Sequence, residues 1–198
     1  YCYKYNNMVI KVTTIAVLEP FLNRPFEKHH LAEISRDIDQ PHPTVRQHLN
    51  NLEHQGILIK DAKGRLTLYS LNLDNPLIFH YLSMSECGRL IKAAGMNLVF
   101  KEIVSFFKDN TKETDFVIVF GSAVIDFKDA NDVDILVAGD MAYKDGIDEL
   151  AGRLNRKIHL LNVKSLDDVN DALKKEILAK HLIIQGMDGV LRWLIGKR

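Results

Sequence analysis

Residues 116–139 read FVIVFGSAVIDFKDANDVDILVAG, and this stretch decides the fold of the C-terminal half. An apolar strand, Phe116 to Phe120, runs into the pair Gly121-Ser122. A polar loop follows, and a second strand, Val133 to Val137, begins on Asp132 and Asp134. Residues i and i+2 of a strand share a face. Asp132 and Asp134 therefore point one way, and Val133 and Ile135 point the other way into a core. Mg²⁺ takes one or two carboxylates plus substrate phosphates. Glycine lets a backbone approach a phosphate closely, and a small-residue turn offers it N–H groups. The pattern suits a magnesium–nucleotide site, with metal on Asp132 and Asp134 and nucleotide on Gly121 and Ser122. The plain structural alternative is a hairpin-like loop bearing surface aspartates.

These residues resemble the minimal branch of the DNA polymerase beta-like nucleotidyltransferases. That pattern is Gly-Ser, a spacer of about ten residues, then Asp-apolar-Asp-apolar opening a strand; here it is Gly121, Ser122, Asp132, Val133, Asp134 and Ile135. The resemblance covers about residues 97 to 198 and implies a mixed sheet with helices packed on it. The pattern predicts strands at 116–120, 133–137 and 157–162. Helices are expected at roughly 145–154, 166–180 and 187–196. The resemblance also implies a reaction: transfer of a nucleoside monophosphate from an NTP to an acceptor, with Asp132 and Asp134 as catalytic metal ligands.

Active members carry a third carboxylate on a later strand. The matching strand is Lys157-Ile158-His159-Leu160-Leu161, and His159 stands where the acid is expected. Imidazole is a poor magnesium ligand, though it can act as a base; a half-buried structural histidine is the alternative. The family's Ala-Arg-Gly after Gly-Ser is also not kept, since Val124-Ile125-Asp126 follows Ala123. Asp140, Asp148 and Glu149 are the other acids that could take the third place, each first a surface residue.

The N-terminal part reads as helix, helix, turn, helix and hairpin. Val9 to Leu22 predicts an apolar helix ending near Pro25. Leu31, Ile34 and Ile38 share one face of a short helix. After Asp39-Gln40-Pro41-His42-Pro43, the run Thr44 to Gln55 buries Val45, Leu49 and Leu52 at helical spacing and stops at Gly56. Strands at Ile57–Ile59 and Leu66–Leu71 flank a turn at Asp61-Ala62-Lys63-Gly64. This segment resembles a winged helix-turn-helix, whose second helix enters the major groove. Thr44, Arg46, Gln47, His48 and Asn50 are its exposed positions, and Lys60, Lys63 and Arg65 on the wing are placed to meet phosphates. A winged helix that makes only protein contacts is the alternative. His29, His30, His42, His48 and His54 match no zinc spacing and are read as solvated or loop residues.

The whole reads as α+β: a winged helix-turn-helix at 9–75, then a connector helix and nucleotidyltransferase-like domain at 76–198, a fusion that the resemblances imply to be of prokaryotic, archaeal type. Leu77 to Phe107 reads as largely helical, interrupted near Gly88 or Gly95. Its apolar stripe of Leu98, Val99, Ile103, Phe106 and Phe107 is core, with a dimer contact as the alternative. Lys and Arg total 26, and so do Asp and Glu, so net charge gives no argument for nucleic acid. Cys2 and Cys87 form no disulfide framework, which fits a reducing cytoplasm. No apolar run suits a membrane span. Met8 is a candidate natural start.

Two functions compete. One is a DNA-binding regulator, a homodimer on double-stranded DNA, whose second domain binds Mg²⁺ and NTP without turnover. The other is an active transferase that modifies a protein or RNA. Its narrower form is an antitoxin that modifies a HEPN-type toxin, a partner implied by the resemblance alone.

Overall fold

A computed structural model of the chain describes residues 14–63, 66–112, 115–125, 127, 130–139 and 144–196. The fold is mixed α and β. Its N-terminal part opens with a 3₁₀ turn, Ala16–Leu18, and helix α1, Glu19–Asn23. Pro20 lies in the first turn of α1, where its missing N–H costs nothing. The expected helix is thus split into two short pieces, and its residues 9–13 lie outside the described residues.

Strand β1, His29–His30, was not anticipated from the sequence. It leads into α2, Leu31–Asp37. Helix α3, His42–His54, starts two residues before the expected Thr44, because Pro41 caps it and Pro43 fits its first turn. It buries Val45, Leu49 and Leu52. Gly56, at φ +69°, ends it in the left-handed conformation that glycine adopts without strain. Strands β2, Leu58–Lys63, and β3, Leu66–Leu71, form an antiparallel hairpin, and β1 adds to β3 in the order β1-β3-β2. Asp61, Ala62 and Lys63, expected in the turn, belong to β2; Gly64 and Arg65 lie outside the described residues. Two helices joined by a turn and flanked by a three-stranded wing make the arrangement a winged helix-turn-helix.

The connector is two helices, α4, Ile78–Met96, and α5, Leu98–Asn110. Neither Gly88 nor Gly95 interrupts it. The break is at Asn97, which leaves helical geometry and whose Oδ1 accepts the Phe100 N–H at 3.1 Å. An N-cap of this kind satisfies a donor that the new helix cannot.

Four strands form the second sheet: β4, Phe116–Phe120; β5, Asp132–Ala138; β6, Lys157–Val163; and β7, His181–Gln185. Their order is β6-β5-β4-β7, with β5 and β6 parallel and the other two pairs antiparallel. Strand β7 was missed, since five residues between two helical patterns carry no alternation to mark them. Helix α6, Lys144–Leu154, joins β5 to β6. The expected helix 166–180 is a 3₁₀ turn, Leu166–Asp168, then α7, Asp171–Ala179; α8, Met187–Ile195, closes the chain.

Strand alternation divides the core. Ile118, Phe120, Leu136 and Ile183 face α8, while Val117, Val119, Val133, Ile135 and Val137 pack with Phe100, Ile103 and Phe107 of α5 and Leu150 of α6. Ile103 and Phe107 of the α5 stripe are therefore core, with Val99 and Phe106 partly buried against it, whereas Leu98 is exposed. The first of these clusters continues through Ile78 and Leu82 of α4 to Leu49 and Leu52 of α3, across the division expected at residue 75. Arg89 of α4 ties the parts with polar bonds. It donates to Asn23 Oδ1 at 3.0 Å and to the His181 carbonyl, and its Nε lies 3.3 Å from Glu86 Oε2. Glu86 is fully buried, and its Oε1 accepts the Ile183 N–H at 2.8 Å.

Candidate magnesium–nucleotide site and helix-turn-helix face

The Gly-Ser turn and the aspartate strand meet at one end of the second sheet. Phe120 pairs with Asp134, so Gly121 leaves β4 directly beside the second carboxylate. Gly121 has φ +80° and ψ −150°, and a Cβ built there would stand 2.9 Å from Asp134 Oδ2. The position excludes side chains both by conformation and by the carboxylate that fills the space. Ser122 is exposed and opens a short 3₁₀ turn, Ser122–Val124.

The N–H of Gly121 donates to the Lys180 carbonyl at 3.2 Å. This corrects the expectation of a wholly free turn: that N–H holds β7's leading end against the site, and phosphate contact falls to the residues after it.

On β5, Asp132 and Asp134 are half-buried and alternate with buried Val133 and Ile135, which places both carboxylates on one face. The parallel register of β5 and β6 sets Asp134 beside His159. His159 Nδ1 is 3.3 Å from Asp134 Oδ1, an ion pair only when the ring is protonated. Its side chain is 61% exposed, so it is not the half-buried structural histidine of the alternative reading.

A cleft of about 850 Å³ opens along this edge, lined by Asp132, Asp148, Arg156, Lys157 and His159. Asp148, on α6, thus shares a cleft with Asp132, whereas Glu149 is exposed on the same helix outside it, and Asp140 lies outside the described residues. Arg156 and Lys157 went unmarked in the sequence, although Lys157 opens β6 two residues before His159 and Arg156 precedes it. A second cleft, of about 740 Å³, was also missed; Lys92, Lys180, Glu19, Val124 and Ile125 line it on the other side of the turn. Burial pushes the Glu19 carboxyl up, against the opposing pull of Lys92 and Arg89.

The residues present suit one magnesium ion with a nucleotide. Two carboxylates share a face, and the glycine cradle beside Asp134 leaves no room for a side chain. Among the described residues, no three His, Cys, Asp or Glu side chains gather into a set able to hold a metal by themselves. Substrate phosphates would have to complete the shell.

At the helix-turn-helix, Arg46 and Gln47 are exposed on α3, while Thr44 and Asn50 are half-buried. Lys60 Nζ of the wing donates to Asn50 Oδ1 at 3.3 Å, which joins wing and helix in one polar face. His48 does not belong to that face: it is half-buried and its Nδ1 lies 3.0 Å from Thr14 Oγ1. His29 is likewise not solvated. It is fully buried, edge-on to Phe21 at 4.5 Å, with Nε2 3.1 Å from the Arg24 carbonyl. Lys63 ends β2, and Arg65 lies outside the described residues.

No protein-family model matches the chain, and no curated protein matches it. Among solved structures, two mutants of the toxin–antitoxin MntA–HpeT align at 19% and 14% identity, each over 48% of this chain. The alignments cover 79% and 80% of those chains, with a TM-score of 0.37 in both. TrmBL2, an archaeal chromatin protein with a novel mode of DNA binding, aligns at 16% identity over 84% of this chain and 70% of its own, with a TM-score of 0.28. At TM-scores this low the likenesses carry no argument, and the functional reading rests on the chain's own residues.

Proposed function

We propose that this chain is a DNA-binding regulator whose C-terminal part binds a magnesium–nucleoside triphosphate and lacks the third carboxylate for nucleotidyl transfer. The observation that carries the reading is the packing of Gly121 against Asp134, with His159 in the register where a facing acid would complete the site. Asp132 and Asp134 hold the ion, and the residues after Gly121 hold the phosphates. A bound ion supplies charge neutralisation for the phosphates and polarisation of a phosphoryl oxygen. The protein's part is to keep both carboxylates on one rigid strand face and to close the turn on the phosphates. Where an acid would deprotonate or orient the acceptor, His159 offers an imidazole that is a poor magnesium ligand.

Arg46, Gln47 and Asn50 face the DNA major groove in this reading, with Thr44 at the helix start and Lys60, Lys63 and Arg65 of the wing on phosphates. A homodimer would present two such helices to a palindromic site. The test is a selection of duplexes from a random pool, followed by a titration with and without Mg²⁺–NTP. A selected sequence whose affinity changes with the nucleotide supports the regulator; equal binding to every duplex contradicts it.

Asp148 favours a second reading. It shares the cleft with Asp132 and His159 and is a carboxylate on a neighbouring helix. With Asp148 as the third acid, the chain transfers a nucleoside monophosphate to a protein or RNA, a HEPN-type toxin being the partner that the family resemblance suggests. Loss of transfer in Asp148→Asn, with nucleotide binding kept, is the result that this reading requires.

A further inference from the structure

We infer that the cleft on the β7 side of the Gly121-Ser122 turn is the polyphosphate end of the nucleotide site, with Lys180 and Lys92 as the cations that hold the terminal phosphates. On the magnesium–nucleotide reading, on which this rests, such a cleft makes the site prefer a triphosphate to a monophosphate.

Charge balance calls for such groups. The carboxylates of Asp132 and Asp134 cancel the charge of one magnesium ion, so the negative charge of the phosphates beyond it is left for other groups to balance. The turn itself, Gly121 to Val124, carries no basic side chain. Cations beside the turn therefore come from the elements packed around it.

The sheet places Lys180. Strand β7 pairs with β4 so that His181 lies opposite Phe120, and the Gly121 N–H donates to the Lys180 carbonyl at 3.2 Å. Helix α7 ends at Ala179, and Lys180 leaves it in extended geometry. Its side chain is exposed and lines the cleft of about 740 Å³ together with Val124 and Ile125, which follow closely on Ser122. Among the described residues no hydrogen bond or ion pair holds its ammonium.

Lys92, exposed on α4, lines the same cleft. The other two lining cations are committed: Arg24 to Glu33 and Asp37, and Arg89 to Glu86, Asn23 and the His181 carbonyl. Two lysines are left, facing one acid, Glu19. Burial raises the Glu19 pKa against the pull of Lys92 and Arg89. A carboxyl that takes up a proton donates to a phosphate oxygen instead of repelling it. Lysine suits the task, since it binds phosphate as a point charge.

The cleft along β6 is the competing path. It adds Asp148 to Asp132, a further carboxylate in the way of phosphates, and its Arg156 already has a partner. The far wall of the lysine cleft is α1 of the winged helix-turn-helix, through Glu19, Pro20 and Asn23. A terminal phosphate there lies against the DNA-binding part, and a monophosphate does not reach it.

Calorimetry of the full chain with Mg²⁺–ATP, Mg²⁺–ADP and Mg²⁺–AMP tests the assignment. The wild type is expected to bind ATP most tightly and AMP most weakly. Lys92→Ala/Lys180→Ala is expected to lose about five-fold or more on ATP, with AMP affinity and circular dichroism unchanged. Its ATP affinity should also depend less on salt. Lys92→Arg/Lys180→Arg keeps the ATP affinity, and Lys175→Ala, exposed on α7, controls for net charge. No loss on ATP, or an equal loss on ATP and AMP, overturns the assignment. So does a loss that follows Lys157→Ala or Lys128→Ala in place of the two lysines. A wild type that binds no nucleotide with magnesium defeats the nucleotide reading and this assignment with it. Binding that needs Asp132 and Asp134 but ignores both lysines defeats the assignment alone.

Discussion

His159 lies beside Asp134, with Nδ1 3.3 Å from Oδ1, because parallel β5 and β6 pair in a register that sets the two residues side by side. An acid at 159 would face the same space as the aspartate pair. In the proposed reading the histidine stands in for that acid without a shift of the strand. His159→Asp is therefore expected to create a metal-dependent transfer product where the wild type gives none. Labelled NTP followed by gel separation reads it, with His159→Asn as the control that changes size without adding a carboxylate. Equal absence of product in both would show that more than this acid is missing.

Gly121→Ala is expected to weaken magnesium–nucleotide binding by about five-fold or more. The added Cβ would stand 2.9 Å from Asp134 Oδ2 at a backbone of φ +80°, and a strained residue of this kind costs about 1–3 kcal/mol. Calorimetry with Mg²⁺–ATP, beside thermal melting of the apo protein, separates loss of the site from loss of the fold. Unchanged affinity contradicts the role given to the turn.

Arg89 holds the buried Glu86 carboxylate, the α1 end at Asn23 and the β7 carbonyl of His181 together. Arg89→Ala leaves Glu86, fully buried, without its cation. Breaking a buried pair in this way costs roughly 3–5 kcal/mol, and denaturant unfolding should show a loss of that order. Replacing both residues, Glu86→Gln with Arg89→Met, should lose less than Arg89→Ala alone.

His181 is fully buried, with Nδ1 3.0 Å from the Ile177 carbonyl and no hydrogen-bond partner for Nε2 among the described residues. Burial holds its pKa below the ordinary 6.5, against the pull of Glu86. The unfolded chain then takes up a proton at 181 before the folded chain does. Stability is full above pH 6.5 and falls as pH drops below it towards the folded value. An NMR titration should find the His181 ring still neutral at pH 6.5, with unfolding free energy declining below that pH.

The local geometry around Gly121 and Asp134 was more legible in the sequence than the frame around it. Gly121-Ser122 and Asp132-Val133-Asp134 were legible because strand alternation and glycine geometry are local. The partner of Asp134 was legible too, since an apolar strand carried His159 at its centre. Strand β7 was not: its five residues pair only with a strand about 60 positions earlier in the chain, a long-range contact that periodicity does not record. Asn97 took the helix break from Gly88 and Gly95 because capping a new helix outweighs glycine's weak disfavour. The burial of His29 was equally hidden, since β1 exists only by pairing with β3.

At the helix-turn-helix, Arg46→Ala and Gln47→Ala are each expected to cost about 1–3 kcal/mol on the selected duplex and to relax its sequence preference. Lys60→Ala should weaken every duplex alike and lower the salt slope by about one. Fluorescence anisotropy at several salt concentrations distinguishes the two patterns.

The central claim, a magnesium–nucleotide site without transfer, is tested most directly by incubating the protein with Mg²⁺ and each labelled NTP, alone and with cell extract. Retained and covalently attached label are then counted for the wild type and for Asp132→Asn/Asp134→Asn. The account predicts saturable, magnesium-dependent retention that the double substitution abolishes, and no covalent label. Covalent labelling that requires the aspartates, or no magnesium-dependent retention at all, would contradict it.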